Sequence, residues 1–111
     1  MPKGAYLGEF EQHVLTALLR LGGNAYGVTI RREIMERAGR DVAVGAIYAT
    51  LDRLEAKGYV SSRLGEATPE RGGRAKRYFD IEAPGERALN ESWRMIDRMR
   101  QGLAPAGVPG Q

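Results

Sequence analysis

The hydrophobic period changes part-way along this chain, and that change limits the fold more than any other feature. Up to residue 57, apolar side chains recur at spacings of three and four residues, which is typical of amphipathic helices. Turn-forming residues divide this part of the chain into three predicted helices, over residues 8–21, 26–38 and 45–57. The pattern therefore indicates three short helices rather than one long helix.

The second half of the chain carries a different pattern. β-Favouring residues in rough alternation occupy residues 59–64 and 76–81, and the segment between them is rich in turn formers. This predicts a β-hairpin. Pro84 suits the first turn of a further helix, which is predicted to continue through Arg100. The APAGVPGQ segment beyond it is rich in Pro and Gly and is expected to be disordered.

The order of these elements predicts an α+β fold that is mainly α-helical, a winged helix-turn-helix with a C-terminal dimerisation helix. We expect residues 1–82 to form the winged helix-turn-helix domain, 83–103 the dimerisation helix and 104–111 a disordered tail. In such a domain the third helix enters a DNA major groove about 12 Å wide, and the two-stranded ribbon lies along the neighbouring backbone.

Composition excludes several classes of protein. The 111 residues include no cysteine, so no disulfide scaffold is expected, and His13, the single histidine, does not make a metal site alone. The sequence has no P-loop, no GxSxG motif and no paired histidine and carboxylate set, so we expect no enzyme, no catalytic residues and no cofactor. With no apolar stretch long enough to span a bilayer and no secretory signal, we expect no membrane partner and a cytoplasmic location.

The distribution of charge is more informative than the net charge of +3. Residues 71–77 hold four cations and no acid, and they include a pair of adjacent glycines. This composition fits a solvated hairpin turn, and it also fits a loop that approaches a polyanion closely. The winged-helix layout favours the second interpretation, because it places these residues at the tip of the wing.

Four stretches of the chain resemble the PadR family of bacterial transcriptional regulators. They are LGEFEQHVLTALLRL (7–21), AYGVTIRREI (25–34), GAIYATLDRLEAKGYVSS (45–62) and ERGGRAKRYFDI (70–81). The short part after the wing resembles the branch of the family with one C-terminal helix, and ESWRMIDRM (91–99) resembles the dimerisation helix of multidrug-sensing members. The chain departs from the family at Ala43, where Ser or Asn is frequent, and at Glu82, where Thr is frequent.

Candidate DNA-binding residues lie on the third helix, at the start of the second helix and on the wing. Small residues at the start of the third helix allow a close approach to base edges, while Thr50 offers a hydroxyl and a methyl group and Arg53 a bidentate fork. Tyr48 packs against the second helix or contacts a phosphate, and Arg53 forms a salt bridge or contacts DNA. The predicted set is Tyr26, Gly45, Ala46, Tyr48, Thr50, Arg53, Arg71, Gly72, Gly73, Arg74 and Lys76.

The single tryptophan, Trp93, lies on the last helix, and a small winged domain does not bury such a helix fully. We therefore expect a homodimer with Leu89, Trp93 and Ile96 at its interface. The family resemblance further implies that two copies of Trp93 flank a cavity where a small planar aromatic effector stacks, with Asp97 supplying negative charge. Dimer core and ligand stacking are compatible roles.

These features together predict a DNA-binding transcriptional regulator, a dimeric repressor of a pseudo-palindromic operator that a small aromatic effector releases. Repression is usual for chains that resemble this family, and the residues themselves do not distinguish it from activation. The alternative is a winged-helix adaptor that contacts proteins and does not bind DNA.

Overall fold

The computed structural model describes residues 6–65 and 75–103. In chain order the elements are α1 (Glu9–Leu21), a short 3-10 turn (Gly22–Asn24), α2 (Gly27–Ala38), α3 (Val44–Ala56), β1 (Val60–Leu64), β2 (Arg77–Ile81) and α4 (Ala83–Arg100). Every helix and strand lies within two residues of its predicted bounds. The predicted winged-helix architecture is thus confirmed.

Helix α1 begins with a local hydrogen bond that its sequence supplies. The Gly8 N–H donates to Glu11 Oε1 at 2.8 Å, and Lys57 Nζ lies 3.1 Å from the other carboxylate oxygen. Partial burial opposes ionisation of Glu11, but the backbone N–H of Gly8 and the Lys57 ammonium outweigh it and lower the pKa of this carboxyl below its ordinary value. Glu11 therefore connects the start of α1 to the end of α3.

The hydrophobic core lies where α1, α2 and α3 meet and where the hairpin and α4 close over them. Residues spaced three or four apart on each helix point into it, as amphipathic periodicity requires. The largest fully buried aromatic residue is Phe79, in the middle of β2. The buried apolar residues are Val14, Leu15, Ala17, Leu18, Ala25, Ile30, Ile34, Ile47, Leu51, Leu54, Val60, Phe79 and Leu89.

Strands β1 and β2 form the antiparallel wing. Their register pairs Val60 with Ile81 and Leu64 with Arg77. The Phe79 N–H donates to the Ala25 carbonyl at 2.8 Å, so the base of the wing is attached to the residues that precede α2. The tip of the wing, with Arg71, Gly72, Gly73 and Arg74, lies outside the described residues.

Helix α4 is attached tightly at its start and leaves the body of the protomer towards its end. The Glu82 N–H donates to the Tyr59 carbonyl at 2.9 Å. A Cβ atom placed on Gly85 would lie 2.2 Å from that carbonyl oxygen, so the helix requires glycine at this point. Beyond Ser92 the apolar side chains are largely exposed: Trp93 41%, Ile96 53%, Met99 77% and Leu103 70%.

Neither a membrane-spanning helix nor a cluster of metal ligands occurs in the described part of the chain. Among residues 6–65 and 75–103, no helix has the length and hydropathy to cross a membrane. The same residues contain no group of three or more acidic, histidine or cysteine side chains placed to hold a metal ion.

Candidate nucleic-acid interface

Helix α3 presents a small-residue surface at its start. Gly45, Ala46 and Ala49 are exposed there. No side chain caps the helix, because the residue before Val44 is Ala43, whose carbonyl accepts from the N–H groups of Ala46 and Ile47. The short side chains leave the backbone of the first turns accessible to a large ligand. This is the surface that the sequence predicted for the DNA-reading helix.

A cleft of about 700 Å³ lies beside this surface, between the first turns of α2, the middle of α3 and the start of β2. We call it the basic cleft, because three of its lining residues are cations. The lining residues are Tyr26, Val28, Arg32, Tyr48, Ala75, Lys76 and Arg77. The structure therefore brings three predicted residues, Tyr26, Tyr48 and Lys76, into one concave site, with two arginines that were not among the predicted set.

The position of Lys76 is set by aromatic side chains. Its Nζ atom lies 3.9 Å from the centroid of the Tyr26 ring, which packs edge-on against Tyr78 with 5.3 Å between centroids. Arg63 covers Tyr78 from the strand beside it, 5.0 Å from its centroid, and also donates to the Gly23 carbonyl. Cations over aromatic rings are attracted to the ring faces, so this stack fixes Lys76 at the rim of the cleft.

Tyr48 has the packing role among the two that its sequence position left open, and its contact with a phosphate stays a prediction. Its ring is 6.1 Å from Phe79, and a Cβ atom on Gly27 would lie 2.7 Å from its hydroxyl. The side chain thus packs against the start of α2 and uses the space that glycine leaves there. It also lines the basic cleft.

The exposure predicted for Thr50 is wrong. Thr50 was expected to be exposed or semi-exposed on α3, but only 2% of its surface is accessible, and its Oγ1 accepts a bond from Arg53 Nη2 at 3.1 Å. The residue lies three positions after Ile47 and four before Leu54, which places it on their buried side. Arg53 is exposed as expected, and its guanidinium is oriented by this buried hydroxyl.

Sequence reasoning missed the role of Arg77. Its Nη2 lies 2.8 Å from Glu55 Oε1 and its Nη1 lies 3.6 Å from Asp52 Oδ1, so both carboxylates of α3 hold it. Ser62 Oγ donates to the other oxygen of Glu55 at 2.9 Å. Arg77 therefore fixes the wing to α3. The pair of acids three residues apart on α3 was the available signal, but the fold alone shows which cation they meet.

On α4 the predicted interface residues divide into two groups. Leu89 is fully buried in the core of the protomer, so its expected place at a dimer interface is corrected: no part of its side chain reaches a second molecule. Trp93, Ile96 and Asp97 are exposed. An apolar face that is covered in the first half of α4 is thus uncovered in the second half.

Comparison with protein families decides how this site is interpreted. The family model described as "Transcriptional regulator PadR-like family" matches residues 14–91, which is more than half of the chain. The chain belongs to the PadR-like family of transcriptional regulators. The family resemblance inferred from the sequence is thereby confirmed, and so is the expectation that the protein is not an enzyme, since the family consists of transcriptional regulators. PadR-like membership also implies regulation through DNA binding.

Solved structures support the same assignment. A PadR-like transcription factor from Bacteroides fragilis is 26% identical, with a TM-score of 0.69, and the match covers 86% of this chain and 89% of that one. PadR family regulators from Clostridium difficile and Eggerthella lenta share the fold at 22% identity, with TM-scores of 0.66 and 0.69. These two matches cover 84% of this chain and 95% and 76% of theirs. No curated protein sequence matches the chain significantly.

Proposed function

We propose that this PadR-like protein is a dimeric repressor that binds a pseudo-palindromic operator. One observation carries the proposal: the small-residue start of α3 and the basic cleft lie side by side. In this proposal α3 enters the major groove and the basic cleft holds the neighbouring phosphates. Small side chains suit the first task and cations the second.

Phosphate binding by the cleft is supported by the charges that line it. Arg32 and Lys76 line the cleft, and neither forms an ion pair with a described residue. Arg77 is engaged with two carboxylates, so its charge is largely compensated within the protomer. We therefore assign the phosphate contacts to Lys76 and Arg32, with Tyr26 and Tyr48 shaping the cleft. Contacts from Arg71, Gly72, Gly73 and Arg74 at the wing tip belong to the same proposal.

The dimer is supported by α4. Its second half carries Trp93, Ile96 and Met99 on a largely exposed apolar face that continues the face buried against the protomer, and exposed Leu103 lies just beyond its end. Contiguous apolar surface of this kind marks an interaction site. A second copy of α4 covers it in our proposal, and each protomer then reads one half-site, about one helical turn of DNA from the other or a multiple of it.

Release by an effector is the last part of the proposal. Trp93 and its copy in the partner protomer bound a cavity in which a small planar aromatic compound stacks, and Asp97, one turn further along α4, favours a cationic compound. Because the proposed target is chromosomal DNA, we place the protein in the cytoplasm.

DNA binding is tested by fluorescence anisotropy with the DNA upstream of the gene itself. We expect sequence-preferring binding whose affinity falls steeply with salt. Lys76→Gln should weaken binding and reduce the slope of log affinity against log salt concentration by about one, because it removes one phosphate contact. Arg98→Gln, an equally conservative change on α4, is the control and should leave both unchanged. If the wild-type protein ignores this DNA even at low salt, the repressor proposal fails and the adaptor hypothesis takes its place.

The dimer is tested by sedimentation velocity of the full chain. Ile96→Glu places a charge on the exposed apolar face and should shift the protein to monomer while circular dichroism stays unchanged. Glu86→Gln, on the exposed side of α4, is the matched control. A wild-type monomer at high micromolar concentration would contradict the dimer.

Effector binding is tested by Trp93 fluorescence against a panel of planar aromatic compounds, and a flat response would remove that part of the proposal.

A further inference from the structure

A groove between α1 and the second half of α2 lies apart from both the basic cleft and the exposed face of α4. Its volume is about 460 Å³, within the range of about 300 to 1,000 Å³ typical of small-ligand sites. None of the residues that line it belongs to α3, the wing or α4. Its lining therefore differs from that of every surface used in the proposed repressor.

The groove has an apolar floor and a cationic rim. Ala17 and Ile34 form part of its lining and are buried in the core. On the rim, Glu33 Oε1 accepts from the Nε atoms of Arg20 and Arg37, at 2.5 and 3.1 Å. Two guanidinium groups thus share one carboxylate oxygen, and the rim keeps one positive charge in excess.

The unused donors of this rim point to the class of ligand. Both arginines bond Glu33 through Nε, and no described residue accepts from the Nη atoms of either. The Arg37 side chain is 63% exposed, so its Nη donors are accessible. Planar guanidinium groups bind carboxylates through pairs of such donors, so the rim is suited to an added carboxylate.

His13 supplies a second, independent observation at the same groove. It lines the groove, and among the described residues its Nδ1 atom is buried without a hydrogen-bond partner. Buried polar atoms in native proteins are nearly always paired, so this unpaired atom sets His13 apart, and its ring beside the apolar floor would respond to an occupant of the groove.

We propose that this groove binds a small monocarboxylate with an aliphatic body. The carboxylate pairs with the two guanidinium groups, and the aliphatic body covers the apolar floor next to the His13 ring. Charge complementarity selects a carboxylate over a neutral or cationic molecule, and the apolar floor selects it over an inorganic anion.

The 111-residue chain allows a direct test, because it contains one histidine and one tryptophan. In a proton NMR titration with sodium octanoate, the His13 imidazole signal reports on the groove and the Trp93 indole signal on α4. We expect a saturable shift at His13 and a much weaker response to octan-1-ol or octylammonium. A titration in which only Trp93 responds, or in which octan-1-ol binds equally well at His13, would overturn the proposal.

Variants on the rim make the test sharper. Arg37→Gln should weaken octanoate binding about fivefold by removing one donor pair, whereas Glu33→Gln should strengthen it about threefold by removing the competing carboxylate. Arg98→Gln is the matched control, since Arg98 is 61% exposed and is also paired with a glutamate. Equal affinities for the Arg37 and Arg98 variants would refute the site, whatever the protein does with DNA.

Discussion

Replacement of Gly85 by alanine tests the tightest backbone contact in the protein. Gly85 is the third residue of α4, and an added Cβ atom would lie 2.2 Å from the Tyr59 carbonyl oxygen. Real Cβ atoms essentially never approach another atom closer than 3.0 Å, and here the obstacle is backbone. The start of α4 must therefore move away from the strand that follows Tyr59.

Two effects of that movement lower the free energy of unfolding, and one effect of the substitution raises it. Overpacking of this kind costs about 1 to 3 kcal/mol. Stretching the bond from the Glu82 N–H to the same carbonyl costs about 0.5 to 1.5 kcal/mol more. The better helix propensity of alanine returns up to about 1 kcal/mol. We expect Gly85→Ala to lower the free energy of unfolding by about 0.5 to 4.5 kcal/mol.

Gly45→Ala is the matched control. Gly45 is the second residue of α3, and an added Cβ atom meets nothing within 4 Å. This change should stabilise the protein by up to about 1 kcal/mol. Urea unfolding followed by circular dichroism, at one fixed protein concentration, should therefore separate the two variants by about 0.5 to 5.5 kcal/mol. A separation below about 0.5 kcal/mol would refute the assignment of Gly85 as a close backbone contact.

Two further predictions concern charged groups. Arg77→Gln should weaken DNA binding by loosening the wing from α3. Because Asp52 and Glu55 already compensate the charge of Arg77, the slope of log affinity against log salt concentration should change less than in Lys76→Gln. A change of a full unit in that slope would contradict this prediction. The pKa of Glu11 is lowered in the folded protein, so its stabilising contribution is complete above its ordinary pKa of 4.5 and is lost as the pH falls below it. With Glu11→Gln, the free energy of unfolding measured with urea should fall less as the pH is lowered below 4.5, by under about 1 kcal/mol, and exposed Glu36→Gln is the control.

The element order and most of the core were predictable because they depend on local periodicity. Ile47, Leu51 and Leu54 follow one helix face, and all three are fully buried. The change from a period near 3.6 to a period of two located the wing in the same way. These signals need no knowledge of which elements meet.

The remaining features depend on contacts between distant parts of the chain. The apolar stripe of α4 is continuous from Leu89 to Ile96, and nothing in its periodicity marks the point where the core of the protomer ends. Arg77 meets Glu55 only once the hairpin has folded against α3. The requirement for glycine at position 85 arises from the carbonyl of Tyr59, a residue on the far side of the hairpin.

The connection between the wing and α4 has a mechanical consequence. A single residue, Glu82, separates β2 from α4, and its N–H and carboxylate are bonded to Tyr59 and Ser61. This connection therefore leaves α4 little freedom to move relative to the wing. In the proposed dimer, a tilt of α4 turns the wing by a similar angle, so the distance between the two half-sites is set by how the paired helices cross. Operators with altered half-site spacing would then be rejected, because no flexible linker is present to absorb the difference.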